Sequence, residues 1–364
     1  MLHALNVRLI SMAAMTLALS CSVARAHHPG GVGNSLGAGP INTISASTLQ
    51  QGLGVAGITV DYQRLKGLSN QTLIEAAEHG HDETGGHQDV HDLRTIQTYA
   101  FTYAYGVTND LMLVLSLPYV RRTGIREAHE EAADGFEVEN LGPADGLGDT
   151  TLLGQYRFFK GGGMETAVLL GFKAPTGKTN ERSIEGETFD AEFQPGSGSW
   201  DGLLGVALTQ RTGSLSFDAS VLYTLATEGT QETDLGDLLL YNAAISYRLA
   251  SLGGSTPPMF NGSAHDKHGA DGQSHLHDHA HEASGVPALD LMLELNGEWS
   301  AKQETNGIKD RNSGGNTLFI SPGMRLSLNQ WSGFVSVGVP IVDDLNGIQS
   351  ESSWRITTGA AWAF

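Results

Sequence analysis

The sequence predicts an all-β protein: a single transmembrane antiparallel β-barrel of about twelve strands, preceded by a cleaved signal peptide. Glycine is abundant, with 47 among 364 residues. No window reaches ~18 uninterrupted apolar residues, which excludes membrane-spanning helices. Many segments of about ten residues alternate apolar and polar side chains, as membrane-spanning strands do. The last of these segments, 352–364, shows the pattern most clearly.

In segment 352–364 alternate residues separate into two faces. The apolar face carries aromatic residues at both ends, as at the two interfaces of a bilayer, and consists of Trp354, Ile356, Thr358, Ala360, Trp362 and Phe364. A slip of one residue would move Arg355 to the lipid, at a cost of ~2–4 kcal/mol at mid-bilayer. The alternative is an edge strand of a soluble β-sandwich.

The N-terminus has the features of an exported precursor. Residues 1–26 contain a basic start at Arg8, an apolar run and an Ala-Arg-Ala end at 24–26, which predicts a signal peptide cleaved before His27. Cys21, the single cysteine of the sequence, lies in this segment. We therefore expect no disulfide in the mature protein. Residues 27–53 lack an apolar period and are predicted to form an extended periplasmic leader.

The chain is acidic, with a formal net charge of −19. Removal of Arg8 and Arg25 with the signal would change this to about −21, because −19 minus 2 is −21. Such acidity argues against a nucleic-acid partner. The expected partners are outer-membrane lipid, the barrel-assembly machinery, and small solutes or metal ions. The expected location is the bacterial outer membrane.

The barrel itself is predicted to span residues 54–364. An even strand number with alternating long and short connections fits an outer-membrane barrel with both ends on the periplasmic side. Ten or fourteen strands are the alternatives. The twelve predicted strands are 54–65, 94–107, 111–121, 146–159, 164–175, 200–211, 214–227, 237–249, 288–302, 316–328, 333–342 and 352–364.

Charged residues on the inward parity define the predicted lumen. They are Asp61, Asp149, Arg157, Glu165, Lys173, Asp218, Arg248, Asp290, Glu294, Glu298, Arg325 and Arg355. This mixture of signs is compatible with a lumen closed by ion pairs and equally with a narrow polar channel.

Several short sequence motifs together indicate a resemblance to a known family. They are Leu-Pro-Tyr at 117–119, Gly-Leu-Gly-Asp at 146–149, Pro-Thr-Gly at 175–177 and the aromatic last strand. Together they resemble the family of outer-membrane barrel proteins assigned to transport in the meta-pathway of phenol degradation. The resemblance implies an outer-membrane barrel that passes small molecules. The histidine tracts depart from a plain hydrocarbon porin.

Thirteen of the fourteen histidines follow the signal peptide, and all thirteen fall outside the predicted strands. Imidazole is largely neutral at pH 7 and binds Zn²⁺, Ni²⁺ or Cu²⁺. Histidine-rich tracts therefore predict metal binding, whereas the alternative is a soluble low-complexity spacer. The candidate ligands are His265, His268, His275, His277, His279 and His281 in one loop, His79, His81, His87 and His91 in another, and His27 and His28 at the mature N-terminus.

No motif indicates an enzyme. The Pro-Thr-Gly-Lys-Thr motif at 175–179 does not have the spacing of a phosphate-binding loop and is not followed by a predicted helix. A serine hydrolase needs a histidine beside a serine, and the predicted strands carry none. No cofactor is expected to be required, although Zn, Ni or Cu ions bound by the loops are expected.

The leading functional hypothesis is an outer-membrane barrel that passes or handles small solutes and binds divalent transition metals through its histidine-rich loops. One alternative is a passive channel for small organic or aromatic compounds, and another is a non-conducting barrel that acts as a metal sensor or scaffold. Counting connections back from Phe364 predicts that loop 66–92 is extracellular and loop 250–287 periplasmic.

Overall fold

In the computed structural model the described residues are 39–84, 90–131, 135–249 and 287–364. Their elements follow in chain order. They are β1 (Gly54–Leu65), α1 (Asn70–Thr84), β2 (His91–Asp92), β3 (Thr95–Gly106), β4 (Leu111–Glu131), β5 (Gly135–Leu147), β6 (Thr150–Gly161), β7 (Met164–Ala174), β8 (Asp201–Thr212), β9 (Leu215–Leu225), β10 (Thr233–Asp234), β11 (Leu238–Leu249), β12 (Ala288–Ser300), β13 (Glu304–Thr305), β14 (Ile308–Lys309), β15 (Gly315–Leu328), β16 (Trp331–Leu345) and β17 (Ser352–Ala363).

Twelve long strands form a closed antiparallel barrel, which confirms the predicted fold. The sheet closes because β1 pairs with both β3 and β17. From β1 the wall continues through β3, β4, β6, β7, β8, β9, β11, β12, β15 and β16 to β17. Closure leaves no sheet edge unpaired within the bilayer, as a lipid environment requires.

Side chains alternate between lipid and interior along these strands. In β8, residues on one parity are buried and those on the other are exposed, beginning with buried Asp201. Leu204 and Val206 are exposed and apolar, as a lipid-facing surface requires. In β17 the faces follow the predicted register: Trp354 and Trp362 point outward, while Thr357 is buried. Among the described residues, no helix has the length and apolar character needed to cross a membrane.

The two ends of the barrel differ. At one end, which we call the short-turn end, consecutive strands are joined by turns at 107–110, 162–163, 213–214 and 329–330. At the other, the long-loop end, the connections include 66–94, 175–200 and 301–314. Leu249 and Ala288 lie at the short-turn end, because they flank the paired ends of β11 and β12. Residues 250–286 themselves lie outside the described part of the chain.

Two predicted loops contain regular structure. The predicted loop 122–145 instead forms a hairpin, in which the distal part of β4 pairs with β5. This part of the sheet has no lipid-facing side, so no regular apolar alternation marks it in the sequence. The predicted loop 66–92 contains α1 and β2. His91 lies in β2 and His129 in distal β4, so the expectation that every histidine lies outside the strands was wrong.

The sequence of helix α1 contains a local signal for helix formation. The Thr72 backbone N–H donates to Ser69 Oγ at 3.0 Å, which is a typical N-terminal cap. Leu73, Ala76 and Ala77 then share one face at helical spacing. They pack against Val90 and against residues of the β4–β5 hairpin. The helix therefore covers part of the long-loop end.

Candidate functional site in the barrel lumen

The barrel interior is the candidate functional site, because its wall is polar and charged. Eleven of the twelve predicted lumen residues lie on the inward parity of their strands, whereas Asp149 lies in the short link before β6, and all twelve are buried or half-buried. They are Asp61, Asp149, Arg157, Glu165, Lys173, Asp218, Arg248, Asp290, Glu294, Glu298, Arg325 and Arg355.

Opposite charges in the wall are paired across neighbouring strands. Arg248 donates from Nε to Asp290 Oδ1 at 2.7 Å and from Nη2 to Asp290 Oδ2 at 2.9 Å. Arg157 Nη1 lies 3.4 Å from Glu165 Oε2. The contact of Arg248 with Asp290 is bidentate, and both ion pairs hold an arginine side chain against the wall. Most of the mixed charge therefore stabilises the wall itself.

Residues 39–51, which we call the inner segment, occupy the lumen near the short-turn end. Ile41 N–H and Thr43 N–H donate to the Glu294 carboxylate at 2.7 and 2.8 Å, and Asn42 N–H donates to both of its oxygens. Thr43 Oγ1 adds a fourth donor at 2.8 Å. Glu294 is fully buried. Its charge is therefore compensated by backbone donors of the inner segment.

The inner segment crosses the lumen to the opposite wall. Ala46 N–H donates to Thr209 Oγ1 at 2.9 Å. Gln155 Nε2 donates to the carbonyls of Ser45 and Ser47, both at 2.9 Å. Ser47 Oγ donates to Glu165 at 2.7 Å. Because Glu294 is in β12 while the other contacts are in β6, β7 and β8, the segment spans the barrel.

This placement corrects the predicted leader. The sequence predicts an extended periplasmic leader over residues 27–53, whereas the described part, from residue 39, enters the lumen. Residues 39–51 contain no charged side chain. A segment exposed to water can carry charged side chains at little cost. In a segment buried in the lumen, an unpaired charged side chain would cost free energy. In agreement with a buried position, Ile41 of this segment packs against the apolar side chains of Met292 and Phe334.

At the long-loop end, residues 175–200 fold inward and form what we call the covering loop. Asp149 accepts hydrogen bonds from Gly177 N at 2.9 Å and from Ser197 N and Oγ, both at 2.7 Å. Phe189 and Phe193 pack into an apolar cluster with the barrel rim. The other members of this cluster are Leu65, Leu93, Ile96, Ile125, Ala144 and the partly buried Leu141.

A histidine surrounded by carboxylates links the covering loop to β2 and β4. His91 Nε2 lies 3.4 Å from Glu127 Oε2 and 3.5 Å from Asp190 Oδ2, and Nδ1 lies 3.7 Å from Glu192 Oε1. Burial alone would lower the pKa of His91. The hydrogen bond with Glu127 and the charges of Glu127, Glu192 and Asp190 outweigh burial and raise it to about 10.

The carboxylates of this His91 cluster are perturbed in turn. Burial raises the pKa of Glu192 to about 7, although the positive charge of His91 partly opposes the shift. Burial also raises the pKa of Asp310, whose negative charge adds to the effect on Glu192. The hydrogen bond from the Asn312 backbone and the positive charges of His91, Lys302 and Arg311 partly oppose this rise in the pKa of Asp310. At neutral pH the cluster is therefore held by a protonated His91.

Two recesses remain between the wall and the structures that fill the lumen. One lies beside the covering loop and has about 540 Å³ of atom-free space, part of it open to solvent. The other has about 370 Å³ and includes Gln63, Glu298 and Gln349 in its lining. Both lie towards the long-loop end. A solute can contact the described wall in both of them.

The predicted metal ligands are mostly outside the described residues. His27, His28, His87, His265, His268, His275, His277, His279 and His281 belong to that group. His79 and His81 lie on α1. His91 contacts carboxylates, yet within the described ranges no three His, Cys, Asp or Glu side chains are arranged to hold a metal ion. Metal binding by the histidine tracts stays a prediction.

Comparison with known proteins agrees with the barrel. A family model described as "Putative MetA-pathway of phenol degradation" matches residues 77–281, which is more than half of the 364 residues. No curated protein matches the sequence. The COG4313 outer membrane channel from Pseudomonas putida F1 has a similar structure, with a TM-score of 0.53 at 13% identity, covering 89% of this chain and 100% of that chain.

Other barrels are less similar. LpxR from Salmonella typhimurium has a TM-score of 0.40 at 11% identity, covering 85% of this chain and 99% of that chain. The CymD monoaromatic hydrocarbon channel has a TM-score of 0.36 at 8% identity, covering 87% and 89%. At these TM-scores the structural similarity is too low to support a conclusion about this chain. The COG4313 match, at its low identity, shows the fold alone.

Proposed function

This chain belongs to the family described as "Putative MetA-pathway of phenol degradation", and on that premise we propose that it is a passive channel for small organic compounds. Its closed twelve-stranded barrel places it in the bacterial outer membrane. The chemistry of the proposed solutes follows from the family description. We propose no enzymatic activity.

The observation that carries the proposal is the way the lumen is closed. A stabilising core would be expected to consist of interlocked wall residues. Here the lumen is instead crossed by a separate segment that contacts the wall through hydrogen bonds and apolar packing. Each such hydrogen bond contributes only ~0.5–3 kcal/mol. Because the wall strands pair with one another and not with this segment, we infer that the inner segment can leave the lumen without unfolding the barrel wall.

We place the short-turn end in the periplasm, because outer-membrane barrels have short periplasmic turns and longer extracellular loops. The inner segment would then close the channel from the periplasm, and the covering loop would close it from outside. On this assignment loop 66–92 is extracellular and residues 250–287 are periplasmic. Labelling of single cysteines in intact cells with a membrane-impermeant reagent tests it. Labelling at 250–287 but not at 66–92 would reverse the assignment.

The proposal is tested with the purified full chain in planar lipid bilayers and in liposomes. We expect discrete conductance steps that are absent after heat denaturation, and liposome swelling in solutions of a small neutral solute such as arabinose. A chain that never conducts, even when residues 39–51 are deleted, would contradict the channel. That result would favour the non-conducting sensor or scaffold.

Metal handling by the histidine tracts is a second proposal, and it rests on composition alone. Six histidines lie between residues 264 and 282, interleaved with carboxylates. We propose that they bind Zn²⁺, Ni²⁺ or Cu²⁺ near the channel mouth. Deletion of 264–282 should then change growth or uptake under stress by at least one of these metals. Unchanged growth and uptake for all three would refute metal handling and leave the passive channel.

A further inference from the structure

The recess beside the covering loop contains an arginine with an unusual environment. Arg122 is 3% exposed and lines the recess. Its Nη1 donates to the backbone carbonyls of Phe193 and Gln194 at 3.3 and 3.1 Å. In the described part of the chain, no ion pair joins Arg122 to a carboxylate. Carbonyl oxygens orient the guanidinium but leave its charge uncompensated.

The other charges of the recess are paired. Lys173 Nζ lies 2.5 Å from Asp201 Oδ2 and 3.7 Å from Asp149 Oδ2. Asp149 also accepts three hydrogen bonds from Gly177 and Ser197. Neither Lys173 nor Asp149 therefore offers a free charge. Glu192 acts on Arg122 only at longer range. The recess consequently has one positive charge available to a ligand.

The remaining lining separates into two kinds of surface. An apolar side is formed by Pro118, Val120, Pro195 and Leu235, whereas Ser116 and Thr151 supply hydroxyl groups. A planar guanidinium donates two parallel hydrogen bonds to a carboxylate. Apolar walls beside one fixed polar group are typical of sites for small organic ligands.

We propose that this recess is a binding subsite for small organic carboxylates, in which Arg122 receives the carboxylate and the wall of Pro118, Val120, Pro195 and Leu235 receives an apolar group such as a single ring. The inference rests on the proposed channel function and names the class of solute that binds in the lumen during its passage. A carboxylate supplies the negative charge that this buried guanidinium lacks. Neutral compounds of the same shape lack that attraction.

The test measures equilibrium binding of benzoate and of its neutral counterpart benzamide to the detergent-solubilised full chain. We expect benzoate to bind at least about tenfold more tightly, the effect of one charged hydrogen-bonded pair. Arg122→Gln should reduce the preference to about twofold or less, and Arg122→Lys should restore part of it. Leu235→Ala should weaken both ligands by similar factors, because it removes apolar contact only.

Arg182→Gln is the matched control, because it removes the same charge from the covering loop. Arg182 donates to Gly186 O near the exposed tip of that loop and does not line the recess. It should keep the benzoate preference. Heat-modifiable electrophoretic mobility confirms that each variant is folded. If Arg122→Lys is folded but Arg122→Gln is not, a benzoate preference in Arg122→Lys that is reduced but not abolished, with an unchanged benzamide affinity, supports the proposal.

Equal affinities of the native chain for benzoate and benzamide would overturn the inference, as would an unchanged preference in folded Arg122→Gln. These results are distinguishable from failure of the channel. Conductance and arabinose-driven swelling do not require a carboxylate subsite. If they persist while the benzoate preference is absent, the subsite is wrong and the channel stands.

Discussion

The two ends of the lumen are closed by different chemistry. Near the short-turn end, the inner segment 39–51 has no charged side chain and is held by its backbone, with Glu294 as the principal acceptor. At the long-loop end, the covering loop 175–200 is held by phenylalanine packing, by Asp149 and by the His91 cluster. The first closure is a separable segment whose hydrogen-bond partners in the wall are carboxylates, hydroxyl groups and the Gln155 amide, whereas the second responds to protonation.

This difference suggests separate roles. A segment that is threaded through the barrel and bound by hydrogen bonds can be displaced as a unit, so it controls whether the lumen is open. The covering loop is joined to strands at both of its ends, so it reshapes the entrance but does not leave it. The following experiments distinguish the two closures, beginning with the largest expected effect.

Deletion of residues 39–51 should raise single-channel conductance severalfold, because it removes the chain that crosses the lumen. The barrel wall should remain, since β1 begins at Gly54, where Gly54 N donates to Phe364 O at 2.8 Å. Planar-bilayer recordings measure the change, with heat-modifiable mobility as the folding control. A deletion variant that folds but conducts no more than the full chain would show that the covering loop limits flow.

Glu294→Gln should increase the open fraction of the channel by about tenfold to a hundredfold. The substitution removes a buried charge that accepts from three successive backbone N–H groups, and a charged hydrogen bond contributes ~1.5–3 kcal/mol. Asp61→Asn is the matched control, because Asp61 accepts from Thr357 of the wall. Single-channel open probability is the readout. Equal effects of the two substitutions would show that lumen charge, and not the inner segment, sets opening.

Raising the pH should loosen the covering loop and leave the inner segment in place. The folded-state pKa of His91, about 10, lies above the ordinary value of 6.5. Its stabilising contribution is therefore fully present below pH ~6.5 and is lost as the pH rises through ~10. For Glu192 the folded pKa is also raised, to about 7, so its contribution likewise declines as the pH rises from ~4.5 to ~7.

A spin label on Glu185→Cys, at the exposed tip of the covering loop, measures this effect. We expect label mobility to rise between pH 8 and pH 10.5, the window that the pKa of His91 sets. His91→Gln should give high mobility already at pH 7 and remove most of the transition. A label on the inner segment at Ser47→Cys serves as the comparison and should not report the same transition. If both labels change together, the two closures are coupled.

Asp149→Asn should have the smallest effect, weakening the covering loop by ~1 kcal/mol. The amide retains one acceptor oxygen, so only part of the bonding to Gly177 and Ser197 is lost. Trypsin should then cleave at Lys178 or Arg182 moderately faster, while the conductance set by the inner segment stays unchanged. A large rise in conductance would instead assign the main closure to the long-loop end.

The barrel wall was predictable because a bilayer imposes a strict pattern on sequence. The alternation in segment 352–364 gave the strand and its register, and Arg355 is on the inner face as expected. The hairpin of β4 and β5 escaped detection because its buried apolar residues, such as Ile125, Ala128 and Ala144, are few and do not alternate as those of a lipid-facing strand do. Helix α1 was missed although Ser69 and the spacing of Leu73, Ala76 and Ala77 mark it.

The contents of the lumen were much harder to predict. The twelve charged lumen residues follow from parity, but parity does not show which partner each one meets. Residues 39–51 have neither an apolar period nor a turn signal, so nothing local indicates that they return into the barrel. Their lack of charge beside a charged wall was the available clue. Arg122 was overlooked because it fell in a predicted loop rather than on an inward strand position.

A cross-link that fixes the inner segment in place tests most directly whether this segment controls the lumen. Ser45 Oγ and Thr209 Oγ1 are 2.9 Å apart, so this pair is chosen for a cross-link between the inner segment and the wall after substitution of both residues by cysteine. In the double variant Ser45→Cys/Thr209→Cys, we predict that oxidation abolishes channel opening and that reduction restores it, while each single variant is insensitive to both treatments. Equal conductance in the oxidised and reduced states of a fully cross-linked sample would contradict control of the lumen by residues 39–51.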